Sequence, residues 1–483
     1  MHQRANGAAT CHAPAMPDTL AADDAGNEGG SVIRLALLLF GVEFVRRRWP
    51  WLALLGATWT VAGAAIFIDA LDGVLYFPLR VFAALMICEG GIALVGAYLG
   101  IDRDRRNLLR VAKGAVFVAI GVLVLTPYRH AYFALAVLFA LYFLVSGVLR
   151  IVAARAVRFH GWQASLALGM VEVAIAVFLI EPWPTYYKGT LPYCIGIGLA
   201  FTGWSLWRLA LNLRRLPRQA ALSTLTGRGG PRNAQPVIWE PGATERQPHD
   251  LIVHVWTPLG SAVNATRRPI VDRYIAAVDG KGVISTGHAA LEVPPDLYIS
   301  HYPAVELDRS PDQFHRTLRA TAENDVPGRF QPSYLEEAAG WCESTQRVRF
   351  HEYNGERLRA FWAGYAADTT YNLTNRNCSS TVVHALETAL EGILGERGGR
   401  WFAFARVLLS PETWLAAELY RRAASMAWTP GLALDYARSL RGIIHPPPVA
   451  WFSLARMVVL RRRRRRHADS RQPGALDERP RTT

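Results

Sequence analysis

Cys378 has the strongest chemical setting in this sequence. It stands in Asn377-Cys378-Ser379-Ser380-Thr381, ahead of Val382, Val383, Leu386, Leu390, Ile393 and Leu394. That spacing of three and four predicts a buried helix over 379–394, stopped by Gly395. A cysteine at a helix start meets exposed amides and the positive end of the helix dipole, and both favour the nucleophilic thiolate. A nearby imidazole would hold the thiolate as an ion pair, and His288 and His301 are the candidates. Both fall in β-rich segments. Leu251-Ile252-Val253-His254-Val255-Trp256, residues 287–293 and residues 297–302 read as three strands, with Pro294-Pro295-Asp296 as the turn between the last two. Paired as a hairpin, these strands bring His288 and His301 near each other, in a register the sequence leaves open. A thiol at a helix start facing an imidazole on a sheet can attack a carbonyl carbon, which suits amide hydrolysis, ester hydrolysis or acyl transfer.

Other residues offer supporting or competing roles. Tyr371 could donate its hydroxyl to an oxyanion, beside the backbone N–H of Cys378. His254 is either a substitute third residue or a satisfied strand histidine, and Glu292 is either a base-orienting carboxylate or an exposed charge. His254, His288 and His301 could in principle form a metal site, but no HExxH or acid-bearing metal motif accompanies them, so neither metal nor cofactor is expected. The five cysteines (Cys11, Cys88, Cys194, Cys342 and Cys378) show no CxxC and no paired spacing, which argues against a disulfide framework and is compatible with a reducing compartment. Cys342 lacks the context of Cys378.

The chain that must position these groups has 483 residues, 51% of them hydrophobic and 19% charged, with a formal charge of +14. It is too apolar for a disordered chain, and its excess of Lys and Arg suits an anionic lipid surface or nucleic acid. The first half explains the apolarity. Residues 1–30 read as a disordered leader, and 31–45 as a short helix lying at the membrane interface. Apolar stretches then follow near 50–69, 78–99, 109–126, 132–153, 163–181 and 190–211, each close to the roughly 20 residues that cross a bilayer. Glycines mark an internal repeat. Gly56, Gly114 and Gly169 recur at spacings of 58 and 55, with Gly63, Gly121 and Ala176 seven residues after each, and Gly91, Gly147 and Gly203 lie 56 apart. The pattern predicts three helix hairpins packed through small residues. Glu89 and Glu172 are isolated carboxylates within the spans, either functional or involved in helix packing.

Loop charges set the orientation. Arg46 to Arg48, then Arg103, Arg105, Arg106 and Arg110, then Arg155 and Arg158, then Arg214, Arg215 and Arg218 fall on one side, whereas the alternate loops carry Arg80, Arg129 and Lys188 singly. Both termini are therefore expected in the cytoplasm. Residues 216–247, rich in Pro, Gly, Arg and Thr, read as a linker. Ser410-Pro411 and Thr429-Pro430 predict helix starts, with amphipathic helices over 400–460. A basic tail over 461–483 opens with Arg461, Arg462, Arg463, Arg464, Arg465 and Arg466, which suit the anionic leaflet at about 1 kcal/mol per charge. Nucleic acid is the runner-up partner for that run, without a binding-fold signature to support it.

Two family resemblances follow from these patterns. Residues 45–215, with three glycine-marked hairpins and Trp49-Pro50-Trp51 and Trp162, resemble the HdeD-type membrane proteins linked to acid resistance, which implies a bacterial inner-membrane location and no reaction. Residues 248–395, with Gly287-His288, His301 and Asn377-Cys378-Ser379, resemble circularly permuted papain-like thiol hydrolases of the NlpC/P60 type. That second resemblance implies Cys378 as nucleophile, His288 as general base and His301 as the group orienting the imidazole. The expected architecture is multi-domain: a six-helix transmembrane domain over 31–215, an α+β papain-like domain with an antiparallel sheet over 248–399, and C-terminal helices. The expected function is a membrane-anchored cysteine hydrolase cleaving an amide in a peptide or related substrate. The alternatives are a lipid acyltransferase or esterase using the same pair, and a non-enzymatic stress-resistance protein with a binding domain. Association of copies through the membrane helices is compatible with each.

Overall fold

The structure, a computed structural model, describes residues 28–41, 49–71, 79–98, 106–126, 129–159, 161–215, 248–257, 277–278, 284–285, 287–305, 318–395 and 400–445. The expected leader, apart from residues 28–30, and the whole of the expected linker and Arg461–Arg466 tail lie outside them.

Among the described residues, six helices make up the apolar half: α2 (Trp49–Asp69), α3 (Leu79–Tyr98), α4 (Arg106–Leu125), α5 (Arg129–Val157), α6 (Trp162–Ile180) and α7 (Thr190–Arg215), preceded by α1 (Glu28–Phe40). Among the described residues, four helical segments are long and apolar enough to cross a membrane: 49–69, 131–157, 162–180 and 190–214. Helix α4, with Arg106, Arg110 and Lys113 in its first turns, carries the apolar run Gly114–Leu125.

The glycine repeat packs helices in an unexpected pairing. The tight pairs are α2 with α7, α3 with α4, and α5 with α6, so each pair joins neighbouring hairpins of the repeat, and the first and last helices close the set. A Cβ on Gly56 would lie 2.5 Å from Trp207 N, and one on Gly203 would lie 2.4 Å from Thr60 N. Gly147 and Gly169 meet in the same way, since a Cβ on Gly147 would lie 2.7 Å from Gly169 O. In the α3–α4 pair the close residue is Gly90 against Gly114, whereas Gly91 faces open space. Backbone approach of this kind supplies the van der Waals contact that holds helices together in lipid. Glu172 is not isolated: Arg150 of α5 donates to its Oε1 from Nη2 at 2.7 Å and from Nε at 3.1 Å, stapling α5 to α6.

The second half is built on strands β1 (Leu251–Trp256), β2 (Ala277–Val278), β3 (Ile284–Ser285), β4 (His288–Val293), β5 (Leu297–Ile299), β6 (His301–Pro303), β7 (Gly328–Phe330) and β8 (Gln346–Phe350). Four of them form an antiparallel sheet in the order β5-β4-β1-β8, while β2–β3 and β6–β7 are separate ribbons. The helices are α8 (Tyr334–Gly340), α9 (Gly355–Ala366), α10 (Cys378–Leu390), α11 (Arg400–Leu409), α12 (Pro411–Ser425) and α13 (Pro430–Ile444). Ser410 and Thr429 cap α12 and α13 from the N-cap position, each followed by proline.

Strand alternation divides the sheet into two faces. Val253, Leu291, Ile299 and Val348 form one buried core with Val382, Val383 and Leu386 of α10, and α13 closes the same core. Trp256, Ala290 and Tyr298 lie on the other face with Tyr334. Helix α1 does not lie along a membrane surface. Its residues Leu35 to Phe40 enter the core of the soluble half, and Gly392 N and Leu394 N donate to Leu38 O and Leu39 O at 2.9 Å. An apolar run such as Leu35–Phe40 is as suited to a buried core helix as to an interface, and here α10, α11 and α12 surround it. Leu52 of α2 and Leu209 and Leu213 of α7 join the same core, so the soluble half is seated on the end of the bundle where α2 begins and α7 finishes.

Candidate active site

Cys378 is the first residue of α10. Asn377 caps the helix reciprocally: its Oδ1 accepts from Ser380 N at 2.8 Å, and Asn377 N donates to Ser380 Oγ at 2.9 Å. The Asn377 amide also donates to Leu373 O at 2.8 Å and to Trp428 O at 2.9 Å, anchoring the helix start to both flanking segments. The loop before it is pinned by Arg376, which is buried over the Tyr365 ring at 4.0 Å and donates to the carbonyls of Thr370, Tyr365 and Asp368. Burial pushes the Cys378 thiol up. The charge and hydrogen bond of His288, a hydrogen bond from Ser379 and another from the Ala289 amide outweigh it and bring the thiol below its ordinary range.

His288 is held on its far side. Its Nε2 is 2.9 Å from Ser300 Oγ and 3.3 Å from Glu337 Oε1. Ser300 Oγ–H donates to Glu337 Oε2 at 2.7 Å, so Nε2 carries the proton and Nδ1 is left for the thiol. Tyr302 stacks on the imidazole at 4.0 Å. Glu337, on α8, receives two further hydroxyls, from Tyr298 at 2.7 Å and Tyr302 at 2.8 Å. A carboxylate that accepts three hydroxyl hydrogen bonds in a buried setting keeps a fixed orientation, and it stabilises an imidazolium beside it.

His301 does not orient His288. The β4–β5 register pairs Leu291 with Ile299 and Glu292 with Tyr298, which, continued, sets Tyr302 opposite His288 and turns His301 to the other face. There its Nδ1 is 3.4 Å from Thr381 Oγ1 and its Nε2 3.3 Å from Thr369 O. Burial lowers its pKa to about 4, against a smaller opposing effect of the Thr369 carbonyl. The third strand read from sequence is also divided at Ser300, where β5 leaves β4 and β6 begins to pair with β7. Tyr371 sets its ring edge-on to His301 at 5.1 Å, and its backbone bridges Val326. His254 is a satisfied strand histidine, with Nε2 at 2.8 Å from Glu292 Oε2 and Nδ1 at 3.0 Å from Ser344 Oγ. Among the described residues, no group of three metal-ligating side chains comes together.

Cys378 and His288 are thus brought together as the sequence led us to expect, while the position behind the imidazole belongs to Glu337. The signal for Glu337 was indirect: Tyr298, Ser300 and Tyr302 alternate along one face with His288, and three inward hydroxyls need buried acceptors. Comparison with protein-family models, with curated proteins and with solved structures gave no match.

Proposed function

We propose that the chain is a membrane-anchored thiol hydrolase in which Cys378, His288 and Glu337 form the reacting unit. The observation that carries this reading is the placement of Cys378 at the capped start of α10, with His288 beside it and held from behind by Ser300 and Glu337; the imidazole lowers the buried thiol. In the first step the thiol gives its proton to His288 Nδ1 and the sulfur attacks the substrate carbonyl carbon. The oxyanion would meet the first amides of α10, which the Asn377 cap, directed at Ser380 N, leaves for it. The tetrahedral intermediate collapses as His288 returns the proton to the leaving group, giving a thioester. Water then attacks that thioester with His288 again as base and releases the acid and the thiol. Amide cleavage is the first choice, in keeping with the resemblance to NlpC/P60-type hydrolases.

A second reading, cleavage or transfer of a lipid acyl ester, is favoured by the seating of the soluble half on the bundle end through Leu52, Leu209 and Leu213. Arg158, just after α5, and Arg214, near the end of α7 and over the Trp49 ring, lie toward that end, and with the loop charges read from the sequence they support six spans with both termini in the cytoplasm of a bacterial inner membrane, as the resemblance to HdeD-type proteins implies. The test is turnover of fluorogenic amide and acyl-ester libraries by the full chain in nanodiscs, alongside Cys378→Ser. Loss of turnover in the variant supports the hydrolase, and the preferred library divides the two substrates. Failure of every electrophile to label Cys378 would leave the non-enzymatic binding protein as the correct reading.

A further inference from the structure

The loop that delivers Cys378 is fastened, link by link, to a membrane hairpin. Helices α5 and α6 are held by the Gly147–Gly169 approach and the Arg150–Glu172 ion pair, so the turn between them is a fixed post. On that turn, Val157 and Phe159 are buried against Trp162, Leu166 and Ala320, and Ala320 N donates to Val157 O at 2.8 Å. The segment around Ala320 then grips the nucleophile loop. Thr374 Oγ1 donates to Leu318 O at 2.7 Å, and Asn375 Nδ2 reaches Ala320 O at 3.5 Å. Asn372 Nδ2 donates to Asp325 Oδ1 at 2.8 Å and to Thr321 O at 3.3 Å, and Val326 pairs with Tyr371 as an antiparallel bridge. Only Arg376 and Asn377, themselves pinned, lie between this brace and Cys378.

We propose that Ala320 and Thr374 are positioning residues through which the α5–α6 hairpin sets the placement of Cys378 against His288. The inference rests on the thiol-hydrolase reading. The membrane half then holds the reactive geometry in place and does more than tether it. Because a thiolate–imidazolium pair depends steeply on separation, release of the brace weakens the pair before it unfolds the domain.

The test uses the full chain in nanodiscs and follows alkylation of the Cys378 peptide by iodoacetamide against pH, by mass spectrometry. Ala320→Asp places a carboxylate among Val157, Phe159, Trp162 and Leu166, while Thr374→Val removes one hydrogen bond and keeps the shape. Each should raise the apparent Cys378 pKa by about one unit, a tenfold loss of thiolate well below it, and the double variant should shift it no further than the stronger single one. Should Ala320→Asp fail to fold, the isosteric Thr374→Val decides alone. Profiles that superimpose on wild type, or shifts that add in full, would overturn the brace. A wild-type thiol with an ordinary pKa is a different result, since it removes the hydrolase reading itself.

Discussion

Glu337 Oε1 lies 3.3 Å from His288 Nε2 and receives the Tyr302 hydroxyl at 2.8 Å, so one carboxylate oxygen serves both the imidazole and the ring stacked on it. Orientation of His288 is therefore a property of the buried cluster as a whole. Glu337→Gln replaces an acceptor of three hydroxyls with a group that also donates, leaving at least one hydroxyl facing a donor. We expect alkylation of Cys378 at neutral pH to fall about tenfold, equivalent to ~1.4 kcal/mol, with a further stability loss of about 1–3 kcal/mol. Thermal unfolding and alkylation of the same sample separate the two effects. Full retention of thiol reactivity would count against the orienting role.

The pH profile of the thiol gives a second prediction. His288 lowers the Cys378 thiol, so alkylation should stay fast to lower pH than for a free cysteine and decline only as the sulfur takes up its proton. His288→Ala removes that influence while burial, which raises the thiol, persists. The inflection should move upward past the roughly 8.5 of free cysteine. An inflection that stays in place would show that His288 does not set the thiolate.

His301 predicts an acid-sensitive fold. Its pKa falls from 6.5 to about 4 on burial, so the unfolded chain takes the proton first and stability declines as pH drops from about 6.5 towards 4. At about 1.4 kcal/mol per unit the loss approaches ~3 kcal/mol at the acid end, and it is absent above pH 6.5. His384, buried on α10 and lowered to about 4, contributes a slope of its own. Thermal midpoints from pH 7.5 to 4.5 should therefore fall less steeply in His301→Gln than in wild type. Equal slopes would mean that His301 is not the buried neutral histidine described.

Arg34 of α1 predicts dependence of the soluble half on a residue far earlier in the chain. Its guanidinium stacks over Tyr420 at 4.0 Å and lies 4.0 Å from Glu387, which also accepts the Tyr436 hydroxyl at 2.6 Å. Burial raises Glu387, and Arg34 and Tyr436 oppose that rise. Removing the positive partner with Arg34→Met leaves a buried carboxylate and should cost about 3 kcal/mol, much of it recovered in Arg34→Met/Glu387→Gln. Chemical unfolding of the four proteins in detergent tests the cycle, and additive losses would show no coupling.

Much of this architecture could be read from residue order, and the exceptions share a cause. Helix periodicity, the Asn377 cap and the proline-marked starts of α12 and α13 are local signals carried by neighbouring residues, and they reappear in the structure. The pairing of helices is not local. Gly56 and Gly203 meet although the repeat alone would equally suit contact within each hairpin, because small residues specify closeness without naming a partner. The same limit hid Glu337. Ser333 at the N-cap of α8 marks a helix, but only the β4–β5 register shows that Tyr298, Ser300 and Tyr302 point toward it. His301 was misplaced for the complementary reason: a slip of one position turns a side chain to the opposite face.

The approach of α2 to α7 has a consequence for the order in which the protein is made. Because the first and last helices of the bundle lie side by side, the chain enters and leaves that bundle at adjacent points, with α1 on one side and the sheet on the other. The bundle is therefore an insertion within the soluble fold, dividing α1 from the elements that bury it. A ribosome releases α1 long before α10, α11 and α12 exist, so Leu35 to Phe40 must wait through the synthesis of every membrane helix before finding their partners. Completion of the core thus reports that α10, α11 and α12 have been made and have met α1 across a finished bundle.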